Sequence, residues 1–140
     1  MIRVVRAALD ELLRQARAAY PRECCGALLG RENGGERLVL RVAGVANADA
    51  EPRRGYLIEA EEVRRLEAAA DAEGLVVLGF YHSHPDHPAV PSARDRESAW
   101  PWYSYVIVPA AAGAVGPPRA WRLAEGADGV REEEMPVEGE

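Results

Sequence analysis

The strongest chemical signal in the chain comes from His82 and His84, which flank Ser83, and from Asp95 a loop later. On an extended strand, residues two apart project to one face. Both imidazoles can therefore aim at one point within ligand distance while Ser83 points the other way. Two imidazoles at that spacing suit zinc, and a carboxylate from the following loop or helix completes three protein ligands and leaves a fourth position for water. Asp95 is the best-placed carboxylate. If Ser92 caps a short helix, Asp95 falls in its first turn, where the helix dipole favours the ionised form that a metal ligand needs. Ser92-x-x-Asp95 is also the spacing of a capping box, which binds backbone donors without a metal, and the two roles can coexist.

Strands and helices have to bring these groups together. The two histidines end the run LVVLGFYHSH, which is apolar, β-branched and aromatic, as a strand buried on both faces would be. The stretch PDHPAVPSARDRES holds three prolines before Ser92 and predicts a loop feeding a short third helix. Upstream, Leu9, Leu12, Leu13, Ala16 and Tyr20 line one face of a helix predicted between Ala7 and Tyr20 and closed by Pro21. CGALLG, RENGGE and RLVLRVAGVA read as strand, turn and strand, because Asn33, Gly34 and Gly35 tolerate positive φ between apolar runs.

After a polar stretch from Asn47 to Arg54, Val63, Leu66, Ala69 and Ala70 predict a second helix over Glu59–Glu73 that stops at Gly74, a natural C′ residue. YSYVIVPA and RAWRL predict further strands. A turn from Gly126 to Gly129 then leads to a last edge strand at VREEEMPV, with the final acidic residues solvated and frayed. Alternating helices and strands without repeats or heptads predict an α/β fold: a single domain over residues 1–140, with a mixed β-sheet flanked by helices.

His82-Ser83-His84-Pro85, Ser92 with seven residues between it and His84, Asp95 with two residues between it and Ser92, and Glu23 upstream together resemble the JAMM (MPN+) metalloprotease motif. Pro21 to Gly26 opening a strand, Asn47 before the second helix and Tyr105 to Pro109 after the metal loop are similar too, so the resemblance covers most of the chain. A lone HxH is a weak signal; HSHP with the spaced serine, the aspartate and an upstream glutamate is specific. The resemblance implies the cytidine-deaminase-like layered architecture of JAMM/MPN domains. It also implies one Zn2+ per chain held by His82, His84 and Asp95, Glu23 as general base, and Ser92 as donor to the developing oxyanion.

The activity implied is hydrolysis of peptide or isopeptide bonds at the C-terminus of ubiquitin-like proteins, whose Gly-Gly end threads into a narrow cleft. The short chain leaves little room for the inserted loops by which larger relatives grip polyubiquitin, so the expected substrate is a small ubiquitin-like or sulfur-carrier protein. Removal of a C-terminal extension and release of a cysteine from the carrier both remain open. A noncatalytic scaffold domain is one rival, against which the intact motif speaks. A structural zinc site is another, but such sites close all four positions and are rich in cysteine, which the sequence near His82 lacks.

Other reactive residues have plainer readings. His87 reads as an exposed loop residue beside Pro88 rather than an extra ligand. Cys24 and Cys25 are neighbours that face opposite sides of a strand. They read as small core residues rather than as a nucleophile or thiolate ligand, and their adjacency argues for free thiols in a reducing compartment. Trp100, Trp102 and Tyr103 read as core or helix-packing aromatics, with a substrate-contacting rim as the alternative.

A net charge of −6 disfavours nucleic acid and anionic membrane as partners, since both need a positive surface. All 17 basic residues are arginines, which excludes lysine Schiff-base chemistry. No apolar run approaches the roughly 20 residues of a membrane helix, and MIRVVRAALDELL turns amphipathic at once, so a cytoplasmic protein is expected. The oligomeric state stays open.

Overall fold

The apolar run that ends in the two histidines forms a central strand. The computed structural model describes residues 1–49, 51–52, 55–124 and 129–139. Along the chain these form β1 (Arg3–Val5), α1 (Arg6–Ala19), β2 (Cys25–Asn33), β3 (Glu36–Val45), α2 (Ala60–Ala72), β4 (Val76–Pro85), α3 (Ala93–Ser98), β5 (Ser104–Ala111), β6 (Ala114–Val115), β7 (Arg119–Leu123), β8 (Val130–Glu133) and β9 (Val137–Glu138). The strands make one mixed sheet in the order β8-β7-β5-β4-β2-β3-β1-β9, with β6 paired to β5. β4 lies antiparallel to β2 and parallel to β5. The predicted hairpin is present as β2 and β3, and Gly34 and Gly35 take positive φ at its turn.

Alternation along the strands divides the core between the two faces of the sheet. Ala8, Leu9, Leu12 and Ala16 of α1 pack on Leu28, Val39, Leu78, Tyr81 and Val106. On the other face, Leu66 and Ala70 of α2 pack with Ala27, Leu29 and Val77. In the β2–β4 ladder, Leu28 faces Gly79 and Leu29 faces Val77, so Leu78 is an extra residue in β4. A bulge of this kind exchanges the faces toward which later side chains of the strand point, relative to the partner strand. Past Leu78, Tyr81 joins the α1 side, while Phe80 packs on the α2 side. His82 and His84 share the parity of Phe80.

α2 ends in a Schellman motif. Gly74, at φ 71°, donates to the Asp71 carbonyl, and Leu75 donates to the Ala70 carbonyl. This is the predicted C′ glycine. Glu61 and Glu62 in the first turn of α2 complement its dipole.

The C-terminal part departs from expectation. VREEEMPV is not one edge strand: β8 pairs with β7 at one end of the strand order, and β9 pairs parallel with β1 at the other. Four residue steps separate Glu133 from Val137, a reach of at most about 14 Å, so the two ends of the sheet must curl toward each other. Val4 donates to the Pro136 carbonyl at 3.0 Å, and Pro136 itself has no N–H with which to continue a ladder. Glu138, expected to fray, lies in β9 and pairs with Arg3 at 2.6 Å. β1 itself was not foreseen. Gly126 and Glu140 lie outside the described residues. No helix among the described residues is long and apolar enough to cross a membrane.

Candidate metal centre and cleft

β4 delivers both imidazoles to one point. His82 Nε2 and His84 Nε2 lie 3.1 Å apart, and Asp95 Oδ2 lies 3.2 Å from the first and 3.1 Å from the second. Ser83 points away, and its hydroxyl accepts the Cys24 N–H at 2.9 Å on the opposite face. Tetrahedral zinc with ligands at about 2.0–2.1 Å sets its donors about 3.3 Å apart, so this nitrogen, nitrogen and oxygen set has the spacing and chemistry of a three-ligand zinc site. His84 is further oriented by its Nδ1, which lies 2.9 Å from the Pro88 carbonyl and leaves Nε2 to the cluster.

Asp95 reaches the cluster from the first turn of α3. Ser92 is the N-cap, and its hydroxyl accepts the Asp95 N–H at 3.1 Å. In return Asp95 Oδ2 accepts the Ser92 N–H at 2.9 Å. The capping box and the cluster therefore share one carboxylate oxygen, as the spacing allowed.

Burial opposes charge on Asp95, but hydrogen bonds with His82, His84 and the Ser92 amide outweigh it and hold the carboxyl well below its usual range. Desolvation lowers the pKa of His82. At His84 desolvation acts in the same direction, yet Asp95 and the Pro88 carbonyl outweigh it, and the pKa is raised.

Glu23 precedes β2 and is only 8% exposed. Desolvation raises its carboxyl to about 7, with His84 opposing and Asp95 adding to the shift. It lines a cleft of about 740 Å³ together with His84, Asp95 and Ser92. The cleft's other walls are largely apolar and include Leu57, Val63, Phe80, Val90, Trp100 and Tyr105.

The sequence reading missed two supporting residues. Tyr56 stacks on the His82 ring, with centroids 4.3 Å apart and planes at 22°. Asn47, noted only as part of the resemblance, uses both ends of its amide. It donates to the carbonyls of Glu23 and Gly55, and it accepts from the amides of Asp49 and Leu57. A polar residue with a conformation-bound role leaves no periodic trace in sequence, and only Asn47's place beside Asp49 hinted at an Asx turn.

His87 is an exposed loop residue on the cleft wall and is no member of the cluster. Cys25 sits across the ladder from His82, but its thiol, pushed up to about 12 by burial, is directed to the Val45 carbonyl and is no member of the cluster. Trp100 is 69% exposed on the cleft rim, contrary to the core reading, because the turn before β5 holds it outward. Tyr103 packs against Phe80 as a core aromatic would, and Trp102 lies under the Arg37 guanidinium.

Comparison with known proteins sets this geometry in a family. The sequence profile of prokaryotic homologs of the JAB domain matches residues 5–124. This chain belongs to the prokaryotic JAB family. Two similar proteins bear names that state an activity. A protein of Haloferax volcanii called desampylase is 42% identical over 71% of this chain and 74% of its own length. A probable TtuB-protein conjugate cleaving protease of Thermus thermophilus is 39% identical over 64% of this chain, though the match spans only 55% of that protein. A JAB1/MPN domain protein of Archaeoglobus fulgidus superposes with a TM-score of 0.64 over 97% of this chain and 96% of its own, at 18% identity, and so shares the fold. The layered α/β architecture expected from the sequence is thus the JAB one. JAB/MPN proteins are typically metal-dependent, and the His82, His84 and Asp95 group is where this chain could hold a metal.

Proposed function

We propose that this JAB-type hydrolase is a zinc metallopeptidase that cleaves the amide bond after the C-terminal Gly-Gly of a small ubiquitin-like or sulfur-carrier protein, releasing the carrier from what it is joined to. One observation carries the reading: three donor atoms within 3.2 Å of one another at a cleft that also presents a buried glutamate. His82, His84 and Asp95 would hold the metal. When bound, zinc acts as a Lewis acid and lowers the pKa of a coordinated water toward about 7.

The chain's own residues do the rest. Glu23 takes the proton of the attacking water as the carbon–oxygen bond forms and gives it to the leaving amine as the carbon–nitrogen bond breaks. A carboxyl with a pKa raised to about 7 by burial is suited to both halves of that exchange. The Ser92 hydroxyl uses a lone pair on the Asp95 amide, which leaves its proton free to donate to the developing oxyanion. The apolar walls exclude competing water and receive an extended chain end.

The conjugate, rather than a carrier ending in cysteine, is favoured by the names of the two relatives. A single catalytic domain over residues 1–140 acting in the cytoplasm belongs to the same reading. The free thiols of Cys24 and Cys25 and the pairing of β9 with β1 support it.

The test is to incubate zinc-loaded and chelator-treated protein with carriers bearing isopeptide-linked lysine, a peptide extension or a C-terminal cysteine, and to weigh the products by intact-mass spectrometry. Chelator-sensitive release of the carrier ending in Gly-Gly is expected, fastest from the isopeptide. Bound zinc without turnover on any substrate would leave a structural site, and a protein that takes up no zinc would be a scaffold.

A further inference from the structure

Ligating histidines are normally oriented by a hydrogen bond from the ring nitrogen that does not bind the metal. His84 has that bond, through Nδ1 and the Pro88 carbonyl. His82 does not: its Nδ1 is buried and has no hydrogen-bond partner among the described residues. The ring nevertheless stands with Nε2 3.2 Å from Asp95 and 3.1 Å from His84. Among the described residues no polar contact at Nδ1 steadies that rotation.

Tyr56 is the group in position to do so, since its ring lies nearly parallel to that of His82 at 4.3 Å. Its own backbone is fixed on both sides. Asn47 bonds the Gly55 carbonyl at 2.9 Å and the Leu57 amide at 3.1 Å, and Arg94 donates to the Tyr56 carbonyl at 3.3 Å. The segment is thereby tied to α3, one residue from Asp95. Tyr56 and His82 also line a cavity of only about 10 Å³, so the packing around the two rings is close.

We propose that Tyr56 is the positioning residue of His82, its ring face replacing the hydrogen bond that the imidazole lacks. The inference rests on the metal-centre reading above. Removing the hydrogen-bond partner of a ligating histidine typically weakens metal affinity about 10- to 100-fold, and a ring face that takes that partner's place should carry a loss of the same order.

Zinc affinity, measured by competition with a chromogenic chelator, tests this in the parent chain and in Tyr56→Phe, Tyr56→Met and Tyr56→Leu, with circular dichroism of each metal-free form. Tyr56→Phe keeps the stacked face and should bind within about twofold of the parent, whereas the Met and Leu variants should fold and bind about 10- to 100-fold more weakly. Equal affinity in all four proteins overturns the proposal, as does a loss in Tyr56→Phe equal to that in Tyr56→Leu. Failure of both the Met and Leu variants to fold overturns it as well, by making Tyr56 a core residue. If the parent chain itself takes up no zinc, the metal-centre reading has failed, a result that no Tyr56 variant is needed to recognise.

Discussion

The side-chain amide of Asn47 donates to the backbone carbonyl of Glu23 at 3.0 Å, so the glutamate facing the cleft is held by a residue more than twenty positions along the chain. The same amide bonds Gly55 and Leu57, which flank Tyr56. One side chain thus ties the segment that presents Glu23 to the segment that supports His82.

Asn47→Asp keeps the two acceptor contacts to Asp49 and Leu57 but removes both donors and sets a carboxylate against two carbonyls. Leaving such groups unpaired costs about 1–3 kcal/mol. Thermal unfolding should report a loss of that order, and kcat should fall while zinc content holds. A variant as stable and active as the parent would show that Glu23 is positioned without Asn47.

Glu23→Gln is nearly isosteric and touches none of the three candidate ligands. It should retain zinc by metal analysis and lose about 10²- to 10⁴-fold in kcat, the usual contribution of a positioned base. Undiminished cleavage would remove Glu23 from the chemistry.

The same substitution has a pH signature in the metal-free protein. The pKa of Glu23 is raised by burial to about 7 from an ordinary 4.5. The native state therefore holds a proton that the unfolded state has lost between those values, and stability falls as pH rises through this window. Glu23→Gln removes the burden. Chemical denaturation should find the variant close to the parent near pH 4.5 and more stable by on the order of 3 kcal/mol above pH 7. A constant difference across the range would contradict the shift.

Trp100 is 69% exposed, so Trp100→Ala should change stability by less than about 0.5 kcal/mol. Its backbone is nonetheless fixed, since its N–H donates to the Tyr105 hydroxyl at 2.8 Å, and the ring is held over the cleft mouth. A several-fold rise in KM with kcat little changed is expected from steady-state kinetics on a protein conjugate. An unchanged KM would return Trp100 to the solvated surface.

The parts of the site that sequence revealed are those that local geometry dictates. His82 and His84 share a face because strand side chains alternate, and Asp95 follows Ser92 at capping-box spacing because a helix turn requires it. Gly74 marks the end of α2 for the same local reason. What stayed hidden is non-local. The bulge at Leu78 shows only in register against β2, and β1 and β9 are strands of two or three residues that exist through pairing rather than propensity. Tyr56 meets His82 across the fold, and Trp100, read as a core aromatic, faces out because of the turn that carries it.

Ser92 combines two tasks that substitution can separate. As N-cap its hydroxyl oxygen accepts the Asp95 N–H at 3.1 Å, and as proposed oxyanion donor it offers its proton to substrate. Ser92→Ala removes both, and should cost about 1 kcal/mol of stability for the cap and about 10²- to 10³-fold in kcat for the donor. Ser92→Asp restores an acceptor for the Asp95 amide but brings no proton at neutral pH. It should therefore regain the melting temperature without regaining turnover, with zinc present in both variants. Recovery of kcat alongside stability would mean that Ser92 acts only by holding Asp95 in place.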